Sequence, residues 1–129
     1  LWLKNDLSAL DSSTPVVVVT HIPFVSAVEQ FRSGGHAGWS PGGAVGNCDD
    51  ALQILSDYNL KLVLQGHIHR DEQVRIDDIS FIMPGAVCGA WWKGPRGGTQ
   101  EGFGVIDVDC GTNEFSYHYL DYGWEPESR

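Results

Sequence analysis

Positive charge is scarce in this chain: 8 Lys and Arg stand against 17 Asp and Glu in 129 residues, a formal net charge of −9. A surface of that sign lacks the basic face on which a nucleic-acid backbone binds, and anionic lipid repels it. Long hydrophobic runs are missing too. The longest purely aliphatic stretch, Val16-Val17-Val18-Val19, falls far short of the roughly 20 residues that cross a bilayer, so no membrane span is expected. Leu1-Trp2-Leu3-Lys4-Asn5-Asp6 has neither the basic start nor the apolar run of a signal peptide; periplasmic and cytoplasmic locations both stay open. The three cysteines, Cys48, Cys88 and Cys110, form no C-x-x-C pair, so nothing supports a zinc knuckle or thioredoxin-like motif. Spacing does not decide whether Cys88 and Cys110 pair.

What the chain does have is 42% apolar residues, 16 glycines and five tryptophans. That suffices for one core with turn-rich loops and large aromatic surfaces, and is too little for two independent domains. Leu3, Leu7 and Leu10 fall at i, i+4 and i+7 and predict a helix at the very start. There is no initiator Met and no capping residue before that helix. Two expectations follow: a frayed terminal helix, or a chain whose first half is missing.

After Asp11-Ser12-Ser13-Thr14-Pro15, the valine run reads as a strand buried on both faces, because it does not alternate. Residues 24–46 form a long Gly- and Ser-rich segment of the kind that serves as a lid or mobile loop. Asn47 is expected to cap a helix from Cys48 to about Tyr58, with Asp49 and Asp50 at its positive end. Leu60 to Leu64 is a second buried strand. Gln73 to Ile76, Ile79 to Met83, Gly104 to Val108 and Phe115 to Leu120 read as further strands, with turns at Asp77-Asp78 and Gly111-Thr112-Asn113. The order predicts a layered α/β domain over 1–124, with 125–129 a solvated tail.

Three of the five histidines follow directly on the two buried strands, in Thr20-His21-Ile22-Pro23 and in Gln65-Gly66-His67-Ile68-His69. Ligand sites in α/β sheets gather beyond the carboxyl ends of strands. Neutral imidazole is the commonest nitrogen ligand of transition metals, so His21, His67 and His69 are the candidate metal ligands. Gly66 is expected to permit the sharp turn into the pair, and Pro23 to fix the chain's exit behind His21.

V-T-H-I-P followed by G-H-I-H resembles the C-terminal half of the calcineurin-like metallophosphoesterases, over about Leu1 to Asp109. Pro84-Gly85-Ala86-Val87-Cys88-Gly89-Ala90-Trp91-Trp92 looks closer still to a bacterial branch with a double-Trp segment after its histidine pair. The resemblance implies part of a four-layer α/β/β/α sandwich with mixed sheets, holding two divalent metals (Mn, Fe or Zn) and hydrolysing phosphate esters by metal-bound hydroxide. His21 matches the family's lone histidine and His67 the first of its last block, both on the second metal; His69 would bind the first. The family's D-x-H, G-D-x-x-D and G-N-H-D/E blocks have no counterpart here, so the resemblance places no catalytic residue in this chain.

Electrostatics give that absence its weight. Two dications about 3.5–4 Å apart repel strongly, and a bridging carboxylate normally offsets this. Three neutral imidazoles do not. The chain alone is therefore expected to hold one weak metal or none, with a missing N-terminal segment or another chain supplying carboxylates. Asp71 and Glu72 read as a solvated turn opening a strand rather than as substitutes. His36, Trp91 and Trp92 are candidate substrate-binding residues, with Lys93 or Arg96 reaching phosphate. The two tryptophans serve equally as a plug for the open edge of a sheet. The competing readings are a non-catalytic half-domain that associates through sheet edges, homo-oligomers included, and a mononuclear zinc protein.

Overall fold

The computed structural model describes residues 2–28, 31 and 43–127. The architecture is mixed α/β and mostly strand. In chain order it runs α1 (Trp2–Leu7), β1 (Pro15–Val19), α2 (Cys48–Leu55), β2 (Asn59–Leu64), β3 (Glu72–Ile76), β4 (Ile79–Met83), β5 (Gly102–Asp109) and β6 (Glu114–Asp121). A four-stranded sheet has the order β1-β2-β4-β3, and β5 and β6 form a separate antiparallel pair.

β1 runs parallel to β2, and β2 parallel to β4, while β3 returns antiparallel along β4. Parallel neighbours need a long crossover, and the chain between β1 and β2 supplies it, including α2. Leu7 from α1 and Leu55 from α2 bury against Val16, Leu60, Val63 and Phe81, so both helices close one face of the sheet. Val63 and Phe81 are register partners, and their neighbours Leu62 and Ile82, equally buried, point to the other face as the pleat requires.

β1 departs from expectation. Val16 is buried, but Val17 is 49% and Val19 76% exposed, so one face of the valine strand is open. An unbroken aliphatic run shows capacity for burial on both faces; it does not say what lies opposite, and β1 is an edge strand. Asn47 departs as well: its side chain makes no capping hydrogen bond, and α2 stops at Leu55, three residues before Tyr58. The thiols of Cys48, Cys88 and Cys110 are free.

Tyrosine hydroxyls fasten the β5–β6 hairpin. Tyr117 donates to Asp71 at 2.5 Å and Tyr119 to the Gln100 carbonyl at 2.6 Å, while Tyr122, just beyond β6, donates to the Val87 carbonyl at 2.6 Å. Tyr117 and Tyr119 share one face of β6 by the period of two. Burial pushes the Tyr119 hydroxyl up to about 12, helped by the charges of Asp71, Asp121 and Glu101; burial and the bond to Asp71 raise Tyr117 further still.

Candidate functional site

Three parallel strands end at the same edge of the sheet. Val19 of β1 pairs with Leu64 of β2, and Leu64 with Ile82 of β4. The segments that leave them, 20–25, 65–70 and 84–100, therefore meet beyond one row of carboxyl ends. Backbone bonds staple the first two together. Thr20 N–H donates to the Leu64 carbonyl at 2.8 Å, and Gly66 N–H to the His21 carbonyl at 2.9 Å.

This stapling brings the His21 and His67 rings together edge to face. His67 Nδ1 lies 3.3 Å from His21 Nε2, with ring centroids 5.2 Å apart and planes at 77°. Two imidazole nitrogens on one tetrahedral metal, each at 2.0–2.1 Å, are separated by about 3.3–3.4 Å. The pair thus fits one edge of a coordination tetrahedron, and equally a hydrogen bond between neutral rings. His69 is turned differently. Its Nδ1 donates to the Gly89 carbonyl at 2.7 Å, which fixes the tautomer with Nε2 as the lone-pair nitrogen. A metal-binding histidine is usually held in this way by a backbone carbonyl. Among the described residues, no group of three or more His, Cys, Asp or Glu side chains is placed to hold a metal ion. The donor set fits a metal through two imidazoles and contains no bridging carboxylate.

Four bulky residues here take left-handed backbone: His67 at φ 77°, His69 at 59°, Trp91 at 57° and Trp92 at 63°. Each costs about 1–3 kcal/mol and persists only where the surroundings over-determine it, a pattern that concentrates at functional sites. The expectation for Gly66 is corrected by the same observation. A methyl group there would meet nothing closer than the His21 carbonyl oxygen at 3.5 Å; the left-handed turn falls on His67 instead.

Trp91 lies between His69 and Arg96. It is half exposed, its ring lies 4.8 Å from that of His69, and the Arg96 guanidinium sits over it at 4.9 Å. Trp92 packs edge-on against Trp124 at 5.4 Å. His36, the remaining candidate, lies outside the described residues. Asp71 is exposed and Glu72 opens β3; both carboxylates are tied to neighbouring segments, Asp71 accepting from Tyr117 and Glu72 from Ala27 N–H at 2.7 Å.

Two participants escaped the sequence reading. Gln65 is 4% exposed. Its Oε1 accepts from Phe24 and Val25 N–H at 3.0 and 3.3 Å, and its Nε2 donates to the Val25 carbonyl. It thereby ties the chain leaving His21 to the strand that delivers His67. A glutamine directly after an apolar strand and before G-H-x-H was the available signal. Glu101 is 1% exposed, with both carboxylate oxygens lacking a partner among the described residues, and it packs against Gly89. No periodic pattern marks it.

Neither the scan against protein-family models nor the search of curated proteins returned a match. No helix among the described residues is long and apolar enough to cross a membrane.

Proposed function

We propose that this chain is the C-terminal part of a metal-dependent phosphoesterase of the calcineurin-like kind, acting on a phosphate-ester substrate. The observation that carries the reading is the 3.3 Å approach of the His21 and His67 nitrogens beyond adjacent parallel strands. His69, its Nδ1 already committed to Gly89, offers the third imidazole. In the complete domain, a four-layer α/β/β/α sandwich, carboxylates from another segment or chain would join these rings around two divalent metals.

Bound there, the metals would supply Lewis-acid polarisation of a phosphoryl oxygen and of the attacking water. The work of this chain's residues is positional. His21 and His67 present neutral lone pairs on one side, and Gln65 holds the His21 loop in register with them. The Gly89 carbonyl and the Trp91 ring fix the plane of His69.

The test is genetic and enzymatic. In-frame D-x-H, G-D-x-x-D and G-N-H blocks are expected in the coding sequence ahead of Leu1. The protein that includes them is expected to hydrolyse an aryl phosphate with added Mn²⁺ or Zn²⁺. His67→Ala and His69→Ala should each lower metal content and turnover while the fold stays intact. Loss of the fold with wild-type metal content would make these histidines structural and end the proposal. The place of β1 at the edge of the sheet, with one face open, favours a second reading, a half-domain that self-associates through that edge. A mass by light scattering that stays monomeric removes it.

A further inference from the structure

In a chain of net charge −9, two arginines flank His69 without a carboxylate partner among the described residues, where the ion pair is Arg75–Asp78 on the β3–β4 hairpin. Arg70 reaches the Gly97 carbonyl through Nη2 at 2.7 Å, and so cradles the loop that carries Arg96. The Nε of Arg70 and of Arg96 are both buried, with no acceptor among the described residues. A buried guanidinium N–H with nothing to donate to is costly, and the guanidinium fork is matched by two oxygens of a phosphate or carboxylate. Arg96 is the better placed, 4.9 Å over the Trp91 ring that itself lies 4.8 Å from His69.

Beside it stands an exposed aromatic surface. Trp91 and Trp92 are 57% and 53% exposed, both on left-handed backbone, and Trp92 is joined by Trp124 in an edge-on pair. The side chains of residues 91–98 are rings, a proline and two cations, with no carboxylate or amide among them. Within 91–98 the side chains offer a neutral polyol no acceptor for its hydroxyls, and the carboxylate of Glu101, unpartnered among the described residues, lies at the base of the loop against Gly89. A planar group carrying an anion finds both of its needs met.

We infer that this loop forms, beside His69, a two-part site for an aromatic phosphate ester: Arg96 takes a phosphate oxygen, and the Trp92–Trp124 pair takes the planar group. This names the substrate class as nucleotide-like or aryl phosphates, and it rests on the phosphoesterase reading only in treating the ligand as a substrate. The recognition itself needs no metal.

The experiment is calorimetric titration of the purified chain, in chelator, with 1-naphthyl phosphate, 1-naphthol and inorganic phosphate. The naphthyl ester is expected to bind more tightly than either fragment. Arg96→Gln should weaken the ester about tenfold and leave naphthol unchanged. Trp92→Gly, which suits the left-handed backbone, should weaken ester and naphthol about fivefold and leave inorganic phosphate unchanged. Circular dichroism of both variants separates these losses from unfolding, and Arg96→Lys should recover only part of the ester affinity. No binding of the ester, ester binding no tighter than inorganic phosphate, or two folded variants that bind as wild type would each overturn the site. Ester binding in chelator beside a complete protein that hydrolyses nothing would sink the phosphoesterase reading alone; metal-dependent hydrolysis without ester binding in chelator would sink this site alone.

Discussion

Gln65→Leu removes an amide of nearly the same size from a position that is 4% exposed. Three backbone groups lose their partner at once: the N–H of Phe24, the N–H of Val25 and the carbonyl of Val25. Each buried, unsatisfied group costs about 1–3 kcal/mol, but Phe24 and Val25 are only half-buried and recover part of that from water, so a destabilisation of about 2–4 kcal/mol is expected. The leucine adds apolar burial that trims the loss without cancelling it. Urea denaturation followed by tryptophan fluorescence should show a lower midpoint at unchanged slope, as a loss of stability without a change in exposed area requires. Metal affinity should fall as well, because the loop that presents His21 has lost its tie to the strand presenting His67. Stability within about 0.5 kcal/mol of wild type would refute the reasoning, since that is the ordinary scatter of a surface change.

Gly66→Ala should be tolerated within about 1 kcal/mol, its methyl in ordinary contact 3.5 Å from the His21 carbonyl oxygen. Gly89→Ala should cost more than about 2 kcal/mol, because its Cβ would collide with the Glu101 carboxylate and its backbone is left-handed at φ 48°; thermal melts of the two variants decide the order. His67→Gly should be more stable than His67→Ala by about 1 kcal/mol, since φ is 77° and glycine carries no Cβ penalty there; equal denaturation midpoints would argue against that backbone. Tyr119 should titrate near 12 in the folded chain and near its ordinary 10 when unfolded. The unfolded state then loses its proton first, so stability is intact below pH 10 and falls as pH rises toward 12; ultraviolet difference titration of wild type against Tyr119→Phe isolates the step.

The strands and their hairpins were legible in the sequence where composition and turns agreed. Ile79–Met83 was located to the residue because the Asp77-Asp78 turn precedes it, and the β5–β6 hairpin followed from the turn at Gly111-Thr112-Asn113. The environment of β1 was not legible, because four identical valines carry no sign of which neighbours cover them. The site was legible as three imidazoles after strand ends. Which of them face each other was not, because that depends on the pairing of Val19 with Leu64 and on the bond from Gly66 to His21. Gln65 stayed hidden because a single polar residue that satisfies backbone groups 40 residues away leaves no local pattern.

A double-mutant cycle on metal affinity tests the central claim most directly: Zn²⁺ titration of wild type, His21→Ala, His67→Ala and the double variant. If both imidazoles grip one ion, either single change removes about tenfold or more of the affinity, and the double change removes little beyond that. Losses that add independently, or affinity that neither change disturbs, would contradict the shared ion.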